Sequence, residues 1–127
     1  MMMKKSRILI IDDEISSTRL LKLNLEQTDH YEVRVENWSE NAVVAAQEFK
    51  PDLILLDVMM PRMFGGDVAA LLRADANLKA TPIVFLSAAV SKERVSEHGG
   101  VISGFPFLAK PASLEDVINC IEKHLAT

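Results

Sequence analysis

Four apolar runs in this chain each end abruptly in a polar or charged side chain. Ile8-Leu9-Ile10-Ile11 runs into Asp12-Asp13-Glu14, and Leu53-Ile54-Leu55-Leu56 runs into Asp57. Ile83-Val84-Phe85-Leu86 stops at Ser87, and a strand over about Phe105–Ala109 stops at Lys110-Pro111. Short unbroken apolar runs read as strands buried on both faces. Strands of that kind belong to parallel sheets with helices on both sides. The carboxyl ends of such strands share one rim, where open α/β folds bind their ligands. Acid pair, acid, hydroxyl and lysine are therefore expected to meet at one place.

The segments between the runs carry helical patterns. A helix is expected over about Ser16–Gln27, with Leu21 and Leu25 four apart. Tyr31–Glu36, with Val33 and Val35 alternating, reads as an edge strand. Ser39 is placed to cap a helix with the stripe Ala42, Ala45, Ala46 and Phe49, stopped by Lys50-Pro51. Gly65-Gly66 precedes a helix carrying Val68, Leu71 and Leu72. Ser91 can cap a fourth helix, but Ser91–His98 holds one large apolar residue, Val95. The 91–104 region is expected to be short, loosely packed or mobile. Ser113, with Asp116 at the capping-box position, starts a last helix with the stripe Leu114, Val117, Ile118, Ile121 and Leu125. Five strand–helix alternations predict a five-stranded, doubly wound parallel sheet flanked by five helices.

At 127 residues the chain is expected to form one domain, 1–127, without an effector domain. A net charge of −4 argues against a nucleic-acid or membrane surface, so direct DNA contact and membrane association are not expected. Lys4, Lys5 and Arg7 are followed too soon by acids for a signal peptide. The lone Cys120 excludes a disulfide framework and favours a cytoplasmic setting. Its expected role is a small buried or half-buried apolar residue. His30, His98 and His124 are expected at the surface, Trp38 as a half-buried anchor, and Met59, Met60 and Met63 in packing or loop contacts.

The chemistry of the rim follows from its charges. Asp12, Asp13 and Asp57 crowded together repel, which raises and couples their proton affinities. A hard divalent cation, Mg²⁺, removes the conflict and leaves positions free for phosphate oxygens. Lys110 adds a mobile positive charge and Ser87 a donor. That set can stabilise a transferring phosphoryl group, and Asp is a known phosphoryl acceptor.

These runs, with Val58-Met59-Met60-Pro61 after Asp57 and Ala88 after Ser87, resemble the receiver domain of two-component response regulators, along essentially the whole chain. The resemblance implies a flavodoxin-like sheet of order 2-1-3-4-5. It implies that Asp57 accepts phosphate from a sensor histidine kinase or phosphotransfer protein. Asp13, Asp57 and the Met59 carbonyl would ligate Mg²⁺, with Asp12 acting through water. Ser87 and Lys110 would hold phosphate oxygens. Phe107 would switch rotamers with Ser87 and alter the surface of helix four, strand five and helix five. A downstream protein would read that surface, the chain being a monomer or a phosphorylation-linked homodimer. Lys110-Pro111 would be cis. Phe64 stands where the family often has Asp, Ser87 where Thr is commoner, and Phe107 where Tyr is frequent.

Two rivals are weaker. A haloacid dehalogenase-type phosphatase needs an acid two residues after its nucleophile, and Met59 occupies that place. A receiver-like interaction module acting without phosphorylation remains the alternative, although such modules usually lose an acid or the lysine. No glycine-rich nucleotide loop follows any strand.

Overall fold

The computed structural model of the protein describes residues 4–102 and 104–126. Five parallel strands form the sheet: β1 (Ser6–Ile11), β2 (Tyr31–Glu36), β3 (Leu53–Asp57), β4 (Ile83–Ser87) and, latest in the chain, β6 (Phe105–Ala109). Their order is β2-β1-β3-β4-β6, the order expected. A sixth strand, β5 (Val101–Ile102), pairs antiparallel with β6, Val101 opposite Pro106 and Ile102 opposite Phe105. The all-parallel five-stranded expectation is corrected at this edge. After the short fourth helix, Gly99 (φ 63°) and Gly100 (φ 83°) adopt a left-handed backbone that glycine tolerates, and the chain doubles back onto β6. Ser103, in the stretch expected to be loosely packed, lies outside the described residues, as do residues 1–3 and 127 of the expected domain.

The apolar runs are continuous because alternate residues serve opposite faces. Leu9, Ile11, Ile54 and Leu56 face a core completed by α2 (Ala42–Phe49) and α3 (Gly65–Ala74). Ile8, Ile10, Leu53 and Leu55 face a second core, closed by Leu25 of α1 (Ile15–Glu26) and by Val117 and Ile121 of α5 (Leu114–Leu125). All eight strand residues are 0–1% exposed. Each such side chain contributes roughly 1.5–3 kcal/mol by leaving water. Together they fix the register that carries the strand ends to one level.

The helix ends follow the expected caps in two cases. Ser113 Oγ accepts from the Asp116 N–H at 3.0 Å, and the Asp116 carboxylate accepts from the Ser113 N–H at 3.4 Å, a complete capping box. Ser91 Oγ accepts from the Arg94 N–H at the start of α4 (Lys92–Glu97), none of whose residues is buried. Ser39 does not cap α2. It opens a 3₁₀ turn over Ser39–Asn41, and its buried hydroxyl donates to the Pro61 carbonyl at 2.9 Å. Leu71 is 47% exposed, because the inward stripe of α3 is Gly65, Val68, Ala69 and Leu72. Trp38 is 53% exposed rather than half-buried, its ring 5.9 Å from the Arg62 guanidinium. Cys120 is half-buried, and burial raises its thiol above the usual range. His30 and His98 are exposed and His124 partly so.

Candidate functional site

Parallel pairing brings the ends of β1, β3, β4 and β6 to one rim. Asp12 follows β1 and is 4% exposed; Asp57 ends β3 at 8% and Ser87 ends β4 at 1%. Lys110 follows β6, and its bond to Pro111 is cis, as expected. The lysine Nζ reaches Asp12 Oδ2 at 2.5 Å and Asp57 Oδ1 at 3.5 Å. Asp12, Asp13 and Asp57 each offer a carboxylate oxygen, and the three oxygens lie within 4.8 Å of one another. Residues from positions 12 to 110 thus form one cluster around a point no single element could surround.

Electrostatics at this point are unbalanced. Burial, and then the charge of Asp12, push the Asp57 carboxyl from 3.8 up to about 6. Lys110 and the Val58 N–H, which donates to Asp57 Oδ1 at 3.0 Å, pull the other way without cancelling the rise. Burial opposes the Lys110 charge, but the Asp12 hydrogen bond and the two carboxylates outweigh it and hold its proton more tightly than usual. Hard oxygen donors in a crowded anionic cluster fit a hard divalent cation.

The loop after Asp57 is held close. Gly65 N–H donates to the Val58 carbonyl at 2.8 Å. A Cβ at Gly65 would stand 2.2 Å from the Asp57 carbonyl oxygen and 2.9 Å from Val58 Cα. Only glycine lets α3 start that near the end of β3. Met59 lies exposed in this loop while Met60 is buried. Ser87 Oγ accepts from the Ala89 N–H at 3.0 Å, and the Ser87 carbonyl accepts from the Lys110 N–H at 2.9 Å, tying β4 to β6 at the rim.

Phe107 stands apart from the acids. Its half-buried ring stacks on Phe85, centroids 5.0 Å apart, with Phe105 edge-on to the same ring at 5.2 Å. Val58, Gly66, Ala69, Phe85, Phe105 and Phe107 contribute to an apolar groove of about 440 Å³. A second cavity, about 490 Å³, lies beside the cluster, between Asp12 and Lys110 on one side and Leu20, Leu21 and Leu114 on the other.

One rim residue escaped the sequence reading. Asn37, next after β2, donates from its amide nitrogen to the Asp12 carbonyl at 2.7 Å. Its only sequence signal is that it is polar and follows a strand, as the other rim residues do.

A sequence model of the response regulator receiver domain matches residues 8–122. The chain belongs to the response regulator receiver domain family. It is 39% identical over 122 residues to the DNA-binding response regulator MtrA of Mycobacterium tuberculosis, covering 95% of this chain and 51% of that protein. It is 31% identical over 121 residues to protein PilH of Pseudomonas aeruginosa, covering 95% of this chain and 98% of PilH. The chain therefore spans about half the length of its MtrA relatives and nearly all of PilH. Among solved structures, chemotaxis protein CheY4 of Vibrio cholerae superposes with a TM-score of 0.79 at 29% identity, covering 94% of this chain and 98% of that one. The receiver domain of the Francisella response regulator 1452 gives 0.78 at 26%, covering 96% and 98%. Receiver domains are phosphorylation-based signalling switches of two-component systems rather than conventional enzymes. Among the described residues, no helix is long and apolar enough to cross a membrane.

Proposed function

We propose that Asp57 accepts a phosphoryl group from a phosphohistidine on a sensor histidine kinase or phosphotransfer protein, with Mg²⁺ as cofactor. The observation that carries this reading is the meeting of three carboxylates within 4.8 Å, with Lys110 reaching two of them. An Asp57 carboxylate oxygen forms a bond to phosphorus as the phosphorus–nitrogen bond of the donor breaks, and the imidazole leaves with its electron pair. Asp13, Asp57 and the Met59 carbonyl would hold Mg²⁺, with Asp12 acting through water. Bound there, the cation neutralises the carboxylates and the incoming phosphoryl oxygens. The rest falls to the chain itself. Lys110 leaves its contacts with Asp12 and Asp57 to hold a phosphate oxygen, and Ser87 turns from the Ala89 N–H to donate to another. Fixed charge and donors at the acceptor stabilise the transferring group without covalent help.

Movement of Ser87 is read out through Phe107. Its ring already lies in the apolar groove on Phe85, two residue pairs from Ser87 along the β4–β6 ladder. A change at Ser87 alters the space behind that ring and so the surface of α4, β6 and α5, for which a downstream protein or a second copy of the chain would compete. The cavity between α1 and α5 and the exposed Leu20 and Leu23 of α1 offer an apolar seat beside the acceptor for the donor protein.

Intact mass after incubation with acetyl phosphate tests the reading on wild type and Asp57→Asn, with and without Mg²⁺. A gain of one phosphoryl group is expected in wild type with Mg²⁺ only. Equal gain in Asp57→Asn, or no gain by wild type that binds Mg²⁺, sinks it.

A further inference from the structure

Asp12 and Asp13 lie on the short link from β1 to α1. Glu14, at the N-cap of α1, makes no side-chain capping bond. The link is held instead from β2. Asn37 Nδ2 donates to the Asp12 carbonyl at 2.7 Å and to Thr18 Oγ1 at 3.0 Å. A side-chain amide nitrogen carries two hydrogens, and these two bonds use both. Thr18 is 2% exposed, with its hydroxyl 3.1 Å from the Glu14 carbonyl and 3.0 Å from that of Ile15. Asn37 thus bridges the last residue of the β1 end to the first turn of α1.

The Asp12 carbonyl shares its peptide plane with the Asp13 N–H. The tilt of that plane sets the direction in which the Asp13 side chain leaves the backbone. The Asp12 carboxylate has holds of its own, from the Glu14 N–H at 3.0 Å and Lys110 at 2.5 Å. Asp13 is exposed, and no side-chain tether of it occurs among the described residues. Its aim depends on its backbone.

We propose that Asn37 is a positioning residue for the cation site: through the Asp12 carbonyl and Thr18 it fixes the Asp12–Asp13 peptide plane and so aims Asp13 at Asp57. This rests on the reading of the carboxylate cluster as a divalent-cation site. Groups that orient metal ligands from behind are worth roughly 10–100-fold in affinity.

The test is Mg²⁺ titration calorimetry on the whole chain for wild type, Asn37→Ala and Thr18→Val, with no phosphate present. Phosphoryl uptake from acetyl phosphate is measured alongside as a function of Mg²⁺. In Asn37→Ala the Mg²⁺ Kd and the half-saturating Mg²⁺ should each rise about ten-fold, with the rate at saturating Mg²⁺ within about two-fold of wild type. Thr18→Val keeps the side-chain shape but loses the hydroxyl, and should shift both in the same direction by less. It keeps the test open if Asn37→Ala does not fold. A purely structural role would lower the melting temperature and the saturating rate and leave half-saturation in place; that pattern, or wild-type Mg²⁺ affinity in both variants, overturns the proposal. Absence of Mg²⁺ binding by wild type overturns instead the reading of the cluster beneath it.

Discussion

Replacing Asp57 by asparagine removes one charge and nearly preserves the shape of the side chain. The retained Oδ1 can still accept the Val58 N–H that now lies 3.0 Å from it. What disappears is a buried carboxylate beside Asp12. Burial first, and the Asp12 charge second, raise the Asp57 carboxyl from 3.8 to about 6. A carboxyl that binds its proton more tightly when folded contributes stability below its unfolded value, and that stability is lost as pH rises through the folded value. Above about pH 6 the folded state carries the whole penalty. Each pH unit between the two values is worth about 1.4 kcal/mol, which would make the penalty roughly 3 kcal/mol. Solvent near the rim and the loss of the Lys110 contact reduce what asparagine recovers to about 2 kcal/mol. In Mg²⁺-free buffer at pH 7.5, Asp57→Asn should therefore melt roughly 6–10 °C above wild type. The assay is thermal unfolding by circular dichroism from pH 7.5 to 3.5, backed by urea titration. The advantage should shrink through the window between about 6 and 3.8 and vanish below it. A variant no more stable than wild type at pH 7.5, or an advantage independent of pH, would refute the reasoning.

Two other perturbations test the scaffold around the site. Gly65→Ala puts a Cβ 2.2 Å from the Asp57 backbone oxygen, so the backbone there must shift; the variant should lose about 2–3 kcal/mol by urea titration and lose phosphoryl uptake as the Asp57 loop moves. Lys50, at the end of α2, holds φ at 54°, and Lys50→Gly should raise stability by about 0.5–1 kcal/mol in the same titration; a loss would show that its left-handed backbone carries no cost.

The unbroken runs at Ile8–Ile11 and Leu53–Leu56 made the parallel sheet legible, because only a strand buried on both faces dispenses with alternation. The rim followed directly, since parallel strands end together. Elements whose outcome depends on one small side chain or on tertiary neighbours were not legible. Leu71 matches the helical period but sits at the edge of a stripe whose centre is set by Gly65, the residue that lets α3 approach Asp57. Ser39 has a cap's identity, yet Pro61 competes for its hydroxyl and wins. The place of Trp38 beside Arg62 depends on a loop turned by a positive φ at position 62, which its residue type does not announce. β5 is two residues long and carries no period to read. Asn37 acts through a backbone carbonyl, a partner that no pattern of side chains announces.

The central claim is that a phosphoryl group arrives on Asp57 and on no other carboxylate of the cluster. Borohydride reduces an acyl phosphate to an alcohol and leaves free carboxylates intact, so treatment after acetyl phosphate and Mg²⁺, followed by peptide mapping, marks the acceptor. The account predicts a reduced side chain at Asp57, with Asp12 and Asp13 unchanged. Reduction at Asp12 or Asp13, or at no carboxylate of a protein shown to bind Mg²⁺, would contradict it.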